Sequence, residues 1–244
     1  MRPARPCATP AGRVPRLLLP RSPRPALRCL DVVVFLCMLA TAGAAGIAHA
    51  DIGAGAVLAA KGSGAALACQ ICHGAKGEGQ REAGFPRLAG QPAGYLYKQL
   101  RDFADGRREN AQMQPIAGAM SEAQMRDVAA YYASLPGWQA PAGQSPATSG
   151  PGWRLATRGD WSKNMPACFA CHGAAGAGIP PHFPALAGQP AAYLRAQIKA
   201  WQTGRRDNDP QGLMKSVADA MSDAEIDAVS VYLEHHSLAV EGGP

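Results

Sequence analysis

The chain has 244 residues and a formal net charge of +6, with 24 Lys and Arg residues against 18 Asp and Glu residues. Seven of those bases but only one of the acids precede Asp51, so the rest of the chain carries 17 of each. The basic excess therefore belongs to the amino-terminal stretch, and the remainder lacks the positive charge that nucleic-acid binding requires.

The first 50 residues predict a secretory signal peptide. They are rich in Arg and Pro as far as Arg28, continue in an apolar stretch from Val32 to Leu39, and end in Ala48-His49-Ala50. A membrane anchor is the alternative, but the apolar stretch dilutes into Ala and Gly before it reaches the ~20 residues of a membrane span. We therefore expect cleavage after Ala50 and export to a bacterial periplasm.

After this leader, a helix is predicted to begin near Gly53 or Ala54 and to carry on toward Cys69. There the chain reads Cys69-Gln70-Ile71-Cys72-His73, and the same spacing returns as Cys168-Phe169-Ala170-Cys171-His172. Cys-x-x-Cys-His is the attachment signature of c-type haem, because both thiols can add to haem vinyl groups and the His can then bind the iron. The prediction is two covalently bound haem c groups, attached through Cys69, Cys72, Cys168 and Cys171 and bound at the iron by His73 and His172.

A Cys-x-x-Cys pair can also be a redox disulfide or half of a zinc site. A thioredoxin-like motif needs no adjacent His. Zinc would require both pairs to converge on one ion, whereas each pair here has its own set of repeated partners. The remaining cysteines, Cys7, Cys29 and Cys37, lie in the predicted leader, so no structural disulfide is expected in the exported chain.

Each haem motif opens a segment that occurs twice. Leu88-Ala89-Gly90-Gln91-Pro92 recurs as Leu186-Ala187-Gly188-Gln189-Pro190, at an offset of 98 residues. A repeat of this length suits an independent small domain rather than a solenoid unit. The stretch from Pro136 to Gly152 is rich in Pro, Gly, Ser and Ala, as expected of a linker. The predicted organisation is a signal peptide 1–50, a first domain 51–136, a linker 137–152 and a second domain 153–244.

Helical signals without any alternating β pattern predict an all-α fold in both domains. One helix should run from Pro92 to about Asp105, and its counterpart from Pro190 to Thr203, each stopped by the Gly that follows. The last helix of each half opens with a capping box, formed by Ser121 with Gln124 and by Ser222 with Glu225.

Two methionines at matching places are predicted to complete the iron coordination. Met113 and Met214 lie in chain predicted to be irregular, where a loop can turn the thioether toward the iron, and thioether ligation raises the potential. Met120 and Met221 directly precede the capping serines, as in a hydrophobic staple, and are predicted to be core residues. With both axial sites filled, neither iron can bind oxygen or peroxide, and the expected chemistry is electron transfer.

Further polar groups are expected around each haem. A ligating His normally donates its second N–H to a carbonyl, and the turns at Pro86 and Pro184 offer one in each half. The histidines without a counterpart in the other half, His182, His235 and His236, are predicted to lie on the surface. Six polar residues either bind the haem propionates or serve as helix-surface and capping groups: Tyr95, Tyr193, Gln91, Gln189, Arg107 and Arg205.

With these motifs the chain resembles cytochrome c4, the two-domain dihaem family among the class I cytochromes c. The shared features are Phe-Pro-x-Leu-Ala-Gly-Gln, Tyr-Leu-x-x-Gln, Gly-Arg-Arg and Met-x-x-x-Ala-x-x-Met-Ser, and they span Gly55 to Leu233. The resemblance implies two tandem class I cytochrome c domains related by a pseudo-twofold axis. It also implies a periplasmic location, often at the membrane face, and electron delivery toward terminal oxidases.

For the site, the resemblance implies His73 with Met113 and His172 with Met214 as iron ligands, and carbonyls of Pro86 and Pro184 that meet the histidines. One departure from the first half is a loop three residues longer before Met214.

The leading functional expectation is a soluble electron carrier, not an enzyme, that takes electrons from one redox protein and passes them to another in a respiratory chain. One alternative is a cytochrome subunit of a periplasmic dehydrogenase complex, which copurification with a flavin or quinoprotein partner would favour. Another is a dihaem peroxidase, which needs one iron with an open site. The symmetric methionines argue against that alternative.

Overall fold

Helices and short turns make up the two stretches that this computed structural model describes, residues 49–139 and 147–236. The first half contains α1 Ile52–Lys61, α2 Gln70–His73, α3 Ala93–Ala104, α4 Met113–Gly118 and α5 Glu122–Ser134. The second half contains α6 Pro151–Arg158, α7 Cys168–His172, α8 Ala191–Gln202, α9 Leu213–Ala220 and α10 Asp223–His235. Within these two stretches the only extended pairings are isolated bridges, which confirms the predicted all-α fold.

Some predictions fall on residues outside these stretches. The signal peptide predicted for residues 1–50 lies outside them as far as residue 48, and so do Cys7, Cys29, Cys37 and the part 140–146 of the linker. Helix α6 begins at Pro151, inside the stretch predicted as linker. Among the residues that are described, no helix has the length and apolar character needed to cross a membrane.

The first and last helices of each half cross at close range. Gly55 lies at the crossing of α1 with α5, where an added Cβ would come within 2.2 Å of the Asp127 carbonyl oxygen. Gly152 makes the same approach of α6 to α10, at 2.3 Å from the Ala228 carbonyl oxygen. Any side chain at either position would push the helices apart, because the contact is with rigid backbone. The second half therefore repeats the packing of the first.

The last helix of each half begins as predicted. The Ser121 hydroxyl accepts the Gln124 N–H while the Gln124 side chain accepts the Ser121 N–H, and Ser222 with Glu225 repeats both bonds. Helices α3 and α8 each start one residue after a proline and end one residue before the predicted last residue. Both capping boxes and both helices are confirmed.

The prediction that the first helix carries on toward Cys69 is wrong. Helix α1 ends at Lys61, where Gly62 takes a φ of +71° and donates its N–H to the Leu58 carbonyl. The chain then turns so sharply that a Cβ on Gly62 would lie 2.3 Å from the Ala66 carbonyl oxygen, which leaves room only for glycine. A bend, rather than a helix, brings the chain to the first haem motif.

The prediction that Met113 and Met214 lie in irregular chain is also wrong. They occupy the first turns of the short helices α4 and α9. A side-chain oxygen caps each turn: Asn110 Oδ1 accepts the Met113 N–H at 2.8 Å, and the Asp209 carboxylate accepts the Met214 N–H at 2.5 Å. These capped turns fix the backbone of both methionines.

One of the three histidines predicted to lie on the surface is buried. His236 is 7% exposed, and its ring packs 5.0 Å from the Tyr232 ring and 5.2 Å from the Phe169 ring, between ring centres. The prediction fails because His236 directly follows the last turn of α10, at a position that faces Phe169 beside the second haem motif. His182 and His235 are exposed, as predicted.

The two halves belong to one compact unit of the chain and meet along a pseudo-twofold contact. The Glu109 N–H donates to the Arg205 carbonyl at 2.9 Å, and the Asp207 N–H donates to the Arg107 carbonyl at 3.0 Å. Equivalent backbone groups are therefore exchanged between the segments that follow α3 and α8.

Candidate haem-binding site

Both halves contribute to the wall of a cavity of about 630 Å³. The wall is built mainly from apolar side chains, and both haem motifs open onto it. Every residue predicted to attach or ligate haem lines this cavity: Cys69, Cys72, His73, Met113, Cys168, Cys171, His172 and Met214.

The motif histidines are held in one orientation by backbone carbonyls. His73 Nδ1 lies 2.9 Å from the Pro86 carbonyl oxygen, and His172 Nδ1 lies 2.8 Å from that of Pro184. Because a carbonyl oxygen only accepts, Nδ1 must carry the proton, and the lone pair of Nε2 is left free to bind a metal. Burial lowers the pKa of both histidines by more than these hydrogen bonds raise it, so the rings are neutral.

The motif cysteines favour haem over zinc. None of the four motif cysteines is paired in a disulfide, and each pair spans one helical turn at α2 or α7. Burial raises the pKa of the Cys69 thiol and raises that of Cys168 to about 11, which is the direction expected of thiols in an apolar wall. Over residues 49–139 and 147–236, no three His, Cys, Asp or Glu side chains converge in a metal-binding arrangement.

The two candidate pairs of methionines differ in burial. Met113 and Met214 are half-buried at the cavity wall, on the capped turns of α4 and α9. Met120 and Met221 also reach the wall, but they are only 9% and 7% exposed and pack within the hydrophobic cores of their halves. The first pair therefore has more freedom to direct sulfur toward a haem iron, whereas the second pair fills the core.

Two buried arginines meet on the cavity wall between the halves. Arg108 donates to Gln99 Oε1 at 2.9 Å and to Gln197 Oε1 at 2.6 Å. Arg206 donates to the same two oxygens, at 3.0 Å and 2.9 Å. Burial and the neighbouring charge of Arg108 lower the pKa of Arg206. The cluster therefore concentrates positive charge where the cavity passes from one half to the other.

This cluster of arginines fits a cofactor that carries negatively charged groups. One buried carboxylate, Asp102, faces it through Asn208, which donates to the Asp102 carboxylate and to Gln99 Oε1, both at 2.8 Å. Two guanidinium groups against one carboxylate leave a positive charge on the wall. The indole N–H of Trp201 is also buried there, and no acceptor for it lies among residues 49–139 and 147–236. Haem propionates would balance the charge of the two arginines and offer an acceptor oxygen to the indole, so the site fits haem c.

The polar residues predicted to serve the propionates lie in several places. The Tyr193 hydroxyl accepts from Arg108 at 2.9 Å, and the Tyr95 hydroxyl accepts from Arg206 at 3.4 Å, so both tyrosines belong to the wall cluster. Gln91 and Gln189 are buried and hydrogen-bond the backbone of the opposite half. Propionate binding by the two tyrosines stays a prediction.

Arg107 and Arg205, predicted either to bind propionates or to lie on the helix surface, are outside the cavity wall. Arg107 and Arg205 are exposed, and Arg107 pairs with Asp105 at 2.9 Å. The next residue of each pair, Arg108 or Arg206, is the one that enters the cavity wall. Both arginines of each pair recur in the repeat, but neither periodicity nor spacing distinguished the inward one.

Two small helical domains, each with a covalent haem motif whose His is fixed by a carbonyl, define a dihaem c-type cytochrome. The chain belongs to the cytochrome c family, whose model matches residues 59–136 and again residues 159–237. The two matches correspond to the two halves of the fold.

Similar proteins include thiosulfate dehydrogenase electron acceptors and cytochromes c4. The chain is 54% identical over 169 residues, 69% of its length, to the thiosulfate dehydrogenase electron acceptor of Stutzerimonas stutzeri, and covers 78% of that protein. It resembles the structure of reduced cytochrome c4 from Pseudomonas stutzeri with a TM-score of 0.68 and 33% identity, covering 77% of this chain and 99% of that one. It also resembles a thiosulfate dehydrogenase from Marichromatium purpuratum, with a TM-score of 0.69 and 38% identity, covering 78% of this chain but 41% of that longer one.

These similarities confirm the predicted resemblance to cytochrome c4 and the two tandem cytochrome c domains with two covalently bound haem c groups. The protein is an electron-transfer cytochrome, and its partners are other redox proteins.

Proposed function

We propose that this chain is a periplasmic carrier that accepts electrons from a thiosulfate dehydrogenase and passes them to a redox protein on the way to a terminal oxidase. The observation that carries the proposal is the 54% identity to a thiosulfate dehydrogenase electron acceptor, against 40% over a similar length to a cytochrome c4. The leader sequence and the haem motifs support the compartment, because haem is attached to such thiols outside the cytoplasmic membrane.

Within this proposal, His73 with Met113 and His172 with Met214 bind the two irons, and the four motif cysteines attach the porphyrins. The free Nε2 lone pair of each His and the place of each Met at the cavity wall support this set. The haem supplies reversible one-electron chemistry. The protein orients the histidines, keeps water away with an apolar wall, and offers positive charge to the propionates.

We also propose that the chain has no catalytic activity of its own. A peroxidase needs an iron with an open coordination site, whereas each half has a Met available at the cavity wall. Carbon monoxide should therefore fail to bind the reduced native protein. Rapid carbon monoxide binding or peroxide turnover would favour the peroxidase alternative.

The electron donor can be tested by mixing. The oxidised chain is combined with a purified thiosulfate dehydrogenase and thiosulfate, and reduction is followed by stopped-flow absorbance at the haem α-bands. Both haems should be reduced within the turnover time of the dehydrogenase, and neither without the enzyme. If ascorbate reduces the chain but the dehydrogenase does not, the proposed donor is wrong while electron transfer itself stands.

A second candidate is a cytochrome subunit held permanently by a dehydrogenase. The similarity to part of a longer thiosulfate dehydrogenase chain favours this arrangement for related proteins. Size-exclusion chromatography of the two purified proteins distinguishes the candidates. A free carrier elutes separately at micromolar concentration, whereas a subunit elutes with the enzyme.

A further inference from the structure

Two buried glutamines form a reciprocal contact between the halves. Gln189 Oε1 accepts the Arg87 N–H at 3.0 Å, and Gln189 Nε2 donates to the Arg87 carbonyl at 2.9 Å. Likewise, Gln91 Oε1 accepts the Ala185 N–H and Gln91 Nε2 donates to the Ala185 carbonyl, both at 2.9 Å. The glutamines are only 2% and 3% exposed. Each side chain thus binds one backbone residue of the opposite half through both its donor and its acceptor.

The clamped residues directly follow the prolines whose carbonyls hold the motif histidines. The Pro86 carbonyl and the Arg87 N–H belong to one peptide group. Its oxygen accepts from His73 Nδ1 at 2.9 Å, while its N–H donates to Gln189 of the other half. The peptide group between Pro184 and Ala185 has the same two bonds, to His172 and to Gln91.

A peptide group is planar and rigid, so a bond that fixes its N–H also fixes the direction of its carbonyl. Hydrogen bonds in a buried chain polarise one another, so acceptance of the N–H by a glutamine strengthens the carbonyl as an acceptor. The hydrogen bond to the second nitrogen of a ligating His in turn sets the ring orientation and tunes the metal. The glutamine therefore acts on the His through a single peptide plane.

We propose that each half of the protein positions the haem-binding histidine of the other half, with Gln189 acting on His73 and Gln91 acting on His172. The glutamines are positioning residues, because they touch neither the haem nor the ring. The proposal rests on His73 and His172 as iron ligands but not on the identity of the electron donor. Loosening the contact between the halves would then change both iron sites.

The test uses the matched variants Gln189→Met and Gln91→Met in the full dihaem protein. Met keeps the length of the side chain but removes the donor and the acceptor. In the reduced, ¹⁵N-histidine-labelled protein, the Nδ1–H of each motif His is followed by NMR for its exchange with water. Nuclear Overhauser contacts to Phe85 or Phe183 assign the two protons, because each ring lies 6.2 Å from its own His between ring centres.

Each variant is expected to affect the motif His of the opposite half. Gln189→Met should speed exchange of the His73 proton by roughly tenfold and leave the His172 proton within about twofold, because one local hydrogen-bonded contact is lost. Gln91→Met should give the mirror image. The potential of the affected haem should shift in the same crossed sense. Gln189→Glu keeps an oxygen that can accept the Arg87 N–H but loses the donor to the Arg87 carbonyl, so it should bring the His73 exchange rate only part of the way back.

Three outcomes would overturn the proposal. They are a larger effect on the His of the variant's own half, an equal effect on both histidines, which would mean only general loosening of the halves, and no effect on either. Far-UV circular dichroism and haem content confirm that each variant is folded. If Gln189→Met fails to accumulate with two haems, Gln91→Met decides alone, since its expected effect on His172 is independent.

Discussion

Replacing Asp102 with Asn should destabilise the protein much more than replacing Asp105, although both carboxylates pair with Arg107. The Asp102 side chain has no exposed surface, and its Oδ2 accepts from Asn208 Nδ2 at 2.8 Å and from Lys98. Arg107 Nη2 lies 3.0 Å from the other oxygen, as an ion pair without hydrogen-bond alignment. Asp105 meets the same Nη2 at 2.9 Å, but its side chain is 49% exposed. The two sites differ in burial and share a partner.

The magnitude follows from that burial. Removing one member of a buried ion pair costs about 3–5 kcal/mol when the charge left behind is also buried. The Lys98 and Arg107 side chains are 37% and 52% exposed, so water can solvate the charges that remain. We therefore expect about 2–3 kcal/mol for Asp102→Asn, which lowers the Tm by roughly 5–10 °C in a unit of this size. Asp105→Asn should cost less than ~0.5 kcal/mol.

The assay is equilibrium urea unfolding of the oxidised dihaem protein at pH 7, followed by far-UV circular dichroism, with a thermal scan as a second measure. Both variants must first be shown to carry two haems. If Asp102→Asn unfolds at the same urea midpoint as Asp105→Asn, then the Asp102 carboxylate does not stabilise the contact between the halves, and this reasoning about its burial is wrong.

Three more outcomes are expected. Replacing Met113 or Met214 with Ala should each remove about half of the weak far-red sulfur-to-iron band, whereas Met120→Ala should keep the band and cost about 2–5 kcal/mol of stability. The reverse pattern would contradict the proposed ligands. The hydrogen bond from Lys163 holds the pKa of Glu225 near 2, below its usual 4.5, so its stabilising effect is complete above about pH 4.5 and is lost as pH falls toward 2. In Lys163→Met, the free energy of unfolding should fall less between pH 4.5 and pH 2 than in the unchanged protein. The difference should be less than about 1 kcal/mol, because the pair is near the surface. Urea unfolding that shows the same pH dependence for both proteins would contradict this. Removal of both haems with silver salts should abolish most of the cooperative unfolding transition, because the apolar wall of a cavity of about 630 Å³ loses its contacts.

The parts of the structure that the sequence predicted correctly depend on neighbouring residues. A capping box needs only Ser121 and Gln124, three positions apart, and the ends of α3 follow from the proline before it and the glycine after it. The place where α1 ends was missed although its cause is also local. Gly62 ends α1 by taking a positive φ, a conformation open to glycine, and its N–H closes the last turn on the Leu58 carbonyl.

The parts that could not be predicted depend on contacts between the halves. Gln189 and Arg87 are 102 residues apart, and the local sequence around either residue does not predict contact with the other. The inward arginine of each pair is likewise decided by where the opposite half presents Gln197 or Gln99. The repeat showed that these residues recur, but recurrence does not distinguish a surface role from a role at the axis between the two copies.

The same axis explains how two sites with one set of ligand types can differ in potential. The reciprocal glutamine contacts treat both halves alike, so they cannot separate the haems. The positions where the halves differ can do so: Asp102 corresponds to Ala200, and Phe103 to Trp201. Arg108 stacks over the Phe103 ring at 4.5 Å, whereas Arg206 stacks over the Trp201 ring at 3.8 Å beside an indole N–H that has no acceptor in the described part of the chain. A buried carboxylate stabilises ferric iron and a donor to a propionate stabilises ferrous iron. We therefore expect any difference in potential between the two haems to come from Asp102 and Trp201 rather than from the haem motifs.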